Sequence, residues 1–331
     1  MVEGVPRSLL KAPTVRSVRR PVLLALATAA ALTVTGCASS TTGSGSVVDA
    51  VKVEGTDAEA GPTVTIDKKP LKAKATASKV ITEGDGAAVT ESDIASVNAL
   101  IVNGTNGEKV DSTWDTKTPV SIDLTQAALF PALKTQLPGK KIGSRVLIVA
   151  PQKDVFGADG NSQVGLKGSD SVVFVIDIKG SAKPLAEAQG AAVEAKPELP
   201  KVEFKGPKEE SVVTMPAGVN PPADLVVQPL VQGEGAEVQD GQTVRVNYTG
   251  VLWKDGSVFD SSATKEPGYF EFPLGQSRVI SAWDKGLKGQ KVGSRVLLVV
   301  PPKDGYGDAG SPPKIAGTDT IVFVVDILAA Y

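Results

Sequence analysis

The side chains available for catalysis are restricted in this chain of 331 residues, because it has no histidine and a single cysteine, Cys37. Ser-His-Asp and Cys-His catalysis, histidine or multi-cysteine metal sites and histidine acid–base chemistry are therefore excluded. The G-x-x-x-x-G-K-[S/T] pattern of a phosphate-binding loop is also absent from the sequence. Any chemistry performed by this chain must proceed without histidine, and we favour a reaction that needs no side-chain nucleophile.

Aromatic side chains form the second notable set, and eleven of the fifteen lie in 201–331. They follow a predicted β-hairpin over Val244–Asp260, whose turn is Asp255-Gly256, and a short helix predicted over Ile280–Leu287. So many aromatic residues around so few elements predict a cavity as well as a core. Those at issue are Tyr248, Phe259, Phe270, Phe272, Trp283, Tyr306 and Phe323.

Two further patterns could hold a ligand. Gly305–Gly310 matches G-x-G-x-x-G, but Ser311-Pro312-Pro313 follows where a dinucleotide-binding unit needs a helix, so we interpret it as a loop. Calcium near Asp304 and Asp308 is an alternative, although the spacing is not that of an EF-hand. The sequence therefore favours neither a cofactor nor a metal.

The chain matches itself at an offset of 149 to 150 residues, which indicates a tandem duplication. We place the copies at 47–180 and 201–331, with a semi-extended linker without secondary structure over 181–200. The matched segments are Lys141–Val146 with Lys291–Val296, Asp154–Gly157 with Asp304–Gly307, and Val173–Ile178 with Val322–Ile327.

Each copy is predicted to be an α+β domain. The apolar runs Val296–Val300 and Ile321–Val325 are typical of central strands, and Ile280–Leu287 is the one convincing helix. We therefore expect an antiparallel sheet that curves over one short helix in each copy.

Residues 1–36 have the pattern of an export signal, with five basic residues followed by the uncharged run Pro21–Gly36. The segment Val34-Thr35-Gly36-Cys37 resembles a bacterial lipobox, which predicts a lipid on Cys37 and a tether over 37–46. The alternative is a free thiol after an ordinary signal peptide. Arg19-Arg20 leaves general or twin-arginine export open. The expected location is the extracytoplasmic face of the cell membrane.

The charge of the mature chain excludes one class of partner. The whole chain has 35 basic and 37 acidic residues, and 1–36 holds five and one of these, so 30 against 36 remain and the net charge is −6. No basic tract of the kind that follows phosphates is present. Nucleic acid is therefore not an expected partner.

Residues 222–328 contain a series of short motifs, which are Asn247-Tyr248-Thr249-Gly250, Phe259-Asp260-Ser261-Ser262, Phe270–Gly275, Val279-Ile280 with Trp283, Tyr306-Gly307 and Ile321-Val322-Phe323. In these motifs and their order the segment resembles the FKBP-type peptidyl-prolyl cis-trans isomerases. This resemblance implies two tandem FKBP-like domains, of which the first keeps the frame and is degenerate in the pocket. Asp304-Gly305 before Tyr306 departs from the bulkier residue that the family often has there.

The resemblance also implies roles for individual residues in a pocket that takes a proline ring. Trp283 would form the floor, and the Tyr306 hydroxyl and Ile280 backbone N–H would bond substrate carbonyls. The walls would be Tyr248, Phe270, Val279, Ile280 and Phe323, with Phe259, Asp260 and Ile315 lining the remainder. Asp260 has an alternative role as a turn residue, because the first copy keeps Asp111 at that position.

The implied function is isomerisation of X–Pro bonds in exported polypeptides by the second copy, without cofactor or metal. The alternative is a non-catalytic, membrane-anchored chaperone or binding module. Macrolide immunosuppressants are further ligands to consider. In the first copy we expect the cavity to be filled by aliphatic side chains or left without a floor. Its aligned residues are Ala99, Val110, Val120, Ile122, Leu133 and Phe156.

Overall fold

The computed structural model describes residues 46–55 and 60–331. The predicted signal peptide 1–36, Cys37 and all but the last residue of the tether 37–46 lie outside the described residues. The chain divides into two compact units, one with the residues up to Ala88 and Val97–Ile178, and one with Val89–Ser96 and Lys179–Tyr331. The domain boundaries given above stay predictions. No helix of the described part is long and apolar enough to cross a bilayer.

The first repeat begins with a short hairpin and continues into a sheet. Its elements are β1 (Val51–Glu54), β2 (Thr63–Ile66), β3 (Ala77–Thr82), β4 (Ile94–Asn103), β5 (Lys109–Ser112), α1 (Thr113–Thr116), β6 (Val120–Asp123), α2 (Pro131–Gln136), β7 (Arg145–Pro151), β8 (Gly160–Asn161), β9 (Leu166–Lys167) and β10 (Ser171–Ala182).

The second repeat has the same order of principal elements. They are β11 (Gly190–Ala192), β12 (Lys201–Glu203), β13 (Val212–Thr214), β14 (Val226–Gly233), β15 (Thr243–Leu252), β16 (Val258–Ser261), β17 (Phe270–Pro273), α3 (Ser281–Leu287), β18 (Arg295–Val300) and β19 (Ile321–Ala330).

The strand order is the same in both sheets, apart from an additional edge strand, β11, in the second. In the first, β3, β7, β10, β4 and β5 are neighbours in that order, with β6 paired to β4. In the second the order is β11, β14, β18, β19, β15 and β16, with β17 paired to β15. Two antiparallel sheets, each with a short helix at the matching position, confirm the predicted α+β fold.

The predicted hairpin over Val244–Asp260 is formed by β15 and β16, with Gly250 opposite Asp260. Gly256 has φ 71°, a left-handed conformation that glycine adopts without strain, and its N–H donates to the Leu252 carbonyl at 2.8 Å. The Asp255 carboxylate accepts from the Ser257 N–H at 2.9 Å, which closes the turn. The Asp-Gly signal in the sequence therefore identified this turn correctly.

The continuous apolar runs in β18 and β19 are explained by burial of both sheet faces. One face, with Leu298 and Phe323, packs on α3. The opposite face, with Leu297 and Val322, is covered by the β12–β13 hairpin through Leu199 and Val213. Each fully buried Val or Leu side chain contributes roughly 1.5–3 kcal/mol relative to an exposed one. A strand that is buried on both faces has no solvent-facing positions, so polar and apolar residues do not alternate along it.

The hairpin that covers the outer sheet face occurs in both repeats and was not predicted from the sequence. In the first repeat β1 pairs with β2, with Val51 opposite Ile66, and both side chains pack with Leu147 and Val173 of the sheet. In the second repeat β12 pairs with β13, with Val202 opposite Val213.

The segment 181–200 contains a strand that the sequence analysis did not expect. Strand β11 pairs with β14, with Gly190 opposite Gly233. Further hydrogen bonds run from the Leu185 N–H to the Leu328 carbonyl at 2.9 Å and from the Gln189 N–H to the Gly293 carbonyl at 2.8 Å. The edge of β14 offers unpaired backbone groups, so an extended chain beside it forms a strand without any hydrophobic pattern.

Candidate active site

A cavity of about 780 Å³ opens on the second repeat. Nine of the ten side chains predicted for the substrate site line it, and they come from four strands of the sheet, from α3 and from loops beside them. These nine are Tyr248, Phe259, Asp260, Phe270, Val279, Ile280, Trp283, Tyr306 and Phe323. The tenth, Ile315, is 5% exposed and belongs to the adjoining apolar core, outside the lining.

Trp283 lies at the centre of the aromatic groups and is 4% exposed. Its ring centroid is 5.2 Å from that of Tyr248 and 5.3 Å from that of Phe323, both in edge-to-face geometry. Phe270 lies 6.1 Å away in the same geometry. Edge-to-face packing places the positive ring edge against a negative face and fixes each ring in the wall. The arrangement makes a rigid, apolar floor.

Helix α3 and the turn before it hold Trp283 in place. The backbone N–H of Trp283 donates to the carbonyl of Ile280, the N-cap residue, at 3.0 Å. The carboxylate of Asp284 accepts from the N–H groups of Gly275 at 2.8 Å and Ser277 at 3.2 Å. An acidic side chain in the first turn of a helix is also favoured by the helix dipole. This turn presents Val279 and Ile280 to the cavity.

Tyr248 and Asp260 are joined by a hydrogen bond. The Tyr248 hydroxyl donates to Asp260 Oδ2 at 2.6 Å, and Lys265 forms an ion pair with Oδ1. Burial raises the pKa of Tyr248, and the Asp260 carboxylate raises it further. Burial would raise the pKa of Asp260, but the hydrogen bonds from Lys265 and Tyr248 outweigh it and lower that pKa. The pair therefore keeps one proton, on tyrosine, at neutral pH.

Asp260 makes the contact of a turn residue, and its side chain also lines the cavity. Its Oδ1 accepts from the Ser261 N–H at 2.9 Å, and Asp111 makes the equivalent bond to the Ser112 N–H at 2.8 Å in the first repeat. The turn-capping role is thus common to both copies. The bond to a tyrosine hydroxyl is specific to the second.

Tyr306 lies at the mouth of the cavity and is 40% exposed. Its hydroxyl makes no hydrogen bond within the described residues. Burial raises the pKa of Tyr306, and the negative charge of Asp260 raises it further. The hydroxyl is therefore protonated at neutral pH and can donate to a ligand oxygen.

Gly250 is the residue that allows the cavity wall to form. A Cβ atom at this position would lie 2.6 Å from Phe259 Cζ and 2.8 Å from Phe323 Cε1. The two rings pack edge-to-face over it with centroids 5.4 Å apart. The close approach of ring and backbone gives the glycine of the Asn-Tyr-Thr-Gly segment a structural reason.

The family model for FKBP-type peptidyl-prolyl cis-trans isomerases matches residues 86–179 and 234–328, which are more than half of the chain. The chain belongs to this family. Its activity is that of a peptidyl-prolyl cis-trans isomerase. One match lies within each repeat, which confirms the tandem arrangement of FKBP-like domains.

Individual relatives match one repeat's length. An FK506-binding protein of Streptomyces anulatus is 43% identical over 122 residues, which cover 37% of this chain and 97% of that protein. A probable FK506-binding protein of Corynebacterium glutamicum is 38% identical over 122 residues, with 37% and 99% covered. The crystal structure of AtFKBP13 matches at 29% identity and a TM-score of 0.31, over 34% of this chain and 96% of that one.

The FKBP frame of the first repeat encloses a phenylalanine where the second has its cavity. Phe130, at the position of Ile280, is fully buried, and its ring centroid lies 4.8 Å from Phe156 and 6.5 Å from Phe174. Leu133, at the position of Trp283, is also fully buried. The sequence analysis expected aliphatic filling or a missing floor and did not consider Phe130. An aromatic side chain from the helix N-terminus fills the space.

The calcium alternative finds no support in this FKBP domain. Asp304 is paired with Lys285 Nζ at 2.6 Å. Across residues 46–55 and 60–331, no three acidic, histidine or cysteine side chains come close enough to hold a metal ion.

Six lining residues were missed by the sequence reasoning, and five of them are polar or charged. They are Ser277, Arg278, Ser281, Asp284, Lys285 and Gly305. The sequence signal that could have identified them is their closeness to Val279, Trp283 and Tyr306. Residues that flank a cavity-lining side chain on a turn or helix lie at the same rim of the cavity. The aromatic pattern drew attention to the apolar lining alone.

Proposed function

We propose that the second repeat, residues 201–331, carries the isomerase activity of this protein, and that the first repeat does not catalyse the reaction. The observation that carries the proposal is the cavity around Trp283, with the Tyr306 hydroxyl at its mouth making no hydrogen bond to residues 46–55 or 60–331. In the first repeat Phe130 fills the corresponding space, and Phe156 has no hydroxyl to offer.

The reaction needs no side-chain nucleophile. Rotation about an X–Pro bond breaks amide resonance against a barrier of about 18–20 kcal/mol, and the twisted amide is less dipolar than the planar one. A dry aromatic wall therefore favours the twisted state over the planar ground state. The Tyr306 hydroxyl and the Ile280 N–H, which has no partner in the described residues, would hold the flanking substrate carbonyls. No proton has to leave a side chain.

The test compares matched variants of the full chain on an X–Pro peptide in the presence of a chelator. Trp283→Leu gives the second repeat the first repeat's residue and removes about 2–3 kcal/mol of apolar contact, so the rate should fall roughly 30- to 150-fold. Phe156→Leu, in the first repeat, should leave the rate unchanged. Equal losses in both variants would contradict the assignment, and no turnover by the parent chain would favour the non-catalytic alternative.

We propose further that the enzyme acts on exported polypeptides at the extracytoplasmic face of the cell membrane, anchored through a lipid on Cys37. The support is the signal-like composition of 1–36 and the lipobox-like run that ends at the chain's single cysteine. Two or more acyl chains anchor a protein stably where one does not. Mass spectrometry of the Cys37 peptide from membranes should find the diacylglyceryl group. A Cys37→Ser protein that is still processed and lipid-anchored would contradict the proposal.

The same cavity is proposed to bind macrolides of the FK506 type. The support is the identity of 43% and 38% to bacterial proteins named for FK506 binding. FK506 should inhibit the parent chain competitively. A matched loss of inhibition and turnover in Trp283→Leu would assign both to one cavity, and inhibition that survives in that variant would assign the macrolide elsewhere.

A further inference from the structure

The loop that carries Tyr306 and the helix that carries Trp283 are connected by a bridge centred on Asp304. Its Oδ1 accepts from Lys285 Nζ at 2.6 Å and lies 3.2 Å from Ser281 Oγ. The Ser281 hydroxyl is also 3.3 Å from the Asp304 carbonyl oxygen. The Asp304 side chain is 9% exposed, so its charge depends on these partners. The Lys285 hydrogen bond lowers the pKa of Asp304, which keeps it ionised at neutral pH.

The two ends of the bridge lie beside the two groups proposed to hold the substrate. Ser281 directly follows Ile280, which would offer its backbone N–H, and Asp304 precedes Tyr306 by two residues. Ser281, Lys285 and Gly305 also line the cavity. The Asp304 N–H donates to the Pro301 carbonyl at 3.0 Å, which fixes the turn from which the tyrosine loop departs. The distance between the two substrate donors therefore depends on this bridge.

The first repeat keeps the aspartate and has lost the bridge. Asp154 corresponds to Asp304, but Pro131 and Thr135 stand where Ser281 and Lys285 stand in the second repeat. The Asp154 carboxylate accepts from Thr76 Oγ1 at 2.7 Å, ahead of β3, instead of from the helix. A carboxylate at this position is thus compatible with the frame of either repeat. In the second repeat, which has the open cavity, this carboxylate is bonded to helix α3.

We propose that Asp304, held by Lys285 and Ser281, is a positioning residue for isomerisation. It sets the separation of the Tyr306 hydroxyl and the Ile280 N–H, so that one peptide bonds to both in the twisted state. Pre-set geometry of this kind acts on the transition state more than on ground-state binding. The inference rests on the proposed function of the second repeat.

The first experiment measures kcat and KM of full-chain variants on an X–Pro peptide. Asp304→Asn keeps the shape and removes the charge, and Lys285→Met removes the exposed partner without a change in the core. Each should lower kcat about tenfold, the factor of one charge-assisted hydrogen bond, and leave KM within about twofold. Lys285→Arg should restore most of the rate. Lys303→Met is the matched control, because it breaks the exposed Lys303–Asp224 pair of the same turn, 2.6 Å long, and should change neither constant.

The second experiment is a double-mutant cycle with Tyr306→Phe. Where the hydroxyl is already absent, Asp304→Asn should cost less than about twofold, because the bridge acts through that group. An undiminished cost in the Tyr306→Phe background overturns the inference, as does an unchanged kcat in Asp304→Asn. A parent chain without turnover, or with turnover that Trp283→Leu leaves intact, would instead overturn the proposed function.

Discussion

Phe130 in the first repeat occupies the space that stays open beside Ile280 in the second, although the sheets around them have the same strand order. A second exchange lies on the neighbouring strands. The strand register places Ile101 where the second repeat has Gly250, and Val110 where it has Phe259. The larger side chain of each pair is therefore Phe259 on β16 in the second repeat and Ile101 on β4 in the first. The same strand order is therefore compatible with an open interior in one repeat and a filled interior in the other, with side-chain bulk exchanged between neighbouring strands.

Both repeats have the same ion pair between two central strands of the sheet. Arg295 Nε donates to Asp326 at 2.6 Å between β18 and β19, and Arg145 Nε donates to Asp177 at 2.6 Å between β7 and β10. In both cases the second guanidinium nitrogen bonds the other carboxylate oxygen at 2.7 Å. Bidentate geometry fixes the register of the two central strands in each sheet.

The largest effect is expected from breaking this shared pair. Arg295→Met leaves Asp326, 5% exposed, buried without its partner, and should lower the free energy of unfolding of the second repeat by about 3–5 kcal/mol. Arg145→Met should cost the first repeat less, because Asp177 is 17% exposed. Hydrogen exchange resolved by peptide assigns each loss to its repeat.

The control for these variants is Lys288→Met, which removes an exposed pair with Asp240 and should cost about 0–1 kcal/mol. Equal and small losses for both arginines would show that the central strands are held by packing alone.

A smaller effect is expected from the exchange of volume. Gly250→Ile would place side-chain atoms into Phe259 and Phe323, and overpacking should destabilise the second repeat by about 1–3 kcal/mol and abolish turnover. The double variant Gly250→Ile with Phe259→Val copies the first repeat and should recover most of the stability without the activity. Urea unfolding and the peptide assay separate the two. A double variant no more stable than Gly250→Ile would contradict the idea of compensation.

The smallest effect is expected from pH. The pKa values of Asp260 and Asp304 lie below their ordinary 3.8, and those of Tyr248 and Tyr306 lie above their ordinary 10.0. The two carboxylates thus stay ionised and the two tyrosines stay neutral between about pH 5 and pH 9, where the rate constant should not change with pH. A lowered carboxylate pKa stabilises the fold fully above the unfolded value and loses this as pH falls through the folded value. Losses should therefore begin only in acid, and a bell-shaped profile centred near neutrality would contradict this.

The sequence was sufficient for features that depend on local pattern. The Asp255-Gly256 turn and the helix α3, which contains Trp283, could be predicted because turn chemistry and hydrophobic periodicity act over a few residues. The duplication could be predicted because the chain matches itself at an offset of 149 to 150. The lining was predictable for nine positions because the family resemblance supplied their joint placement. Ile315, which the same resemblance placed at the cavity, packs in the adjoining core, and its loop has no periodicity to indicate which way a side chain faces.

What the sequence did not reveal depends on tertiary contacts. Asp304 and Lys285 are 19 residues apart, and their pairing follows from how a loop meets a helix. Phe130 was visible as a residue, but only packing shows that its ring turns inward. Strands β11, β12 and β13 have three residues each, too few for a pattern, and form because a sheet edge or face is available to them.

The hairpins on the outer faces bear on the history of the chain. Strand β1 begins at Val51 and β12 at Lys201, and β2 begins at Thr63 and β13 at Val212, so the hairpins recur at offsets of 150 and 149, like the sheets themselves. Both lie before the segments 86–179 and 234–328 that match the family model. The simplest order of events is that an ancestral single-domain enzyme first gained the hairpin and was then copied whole.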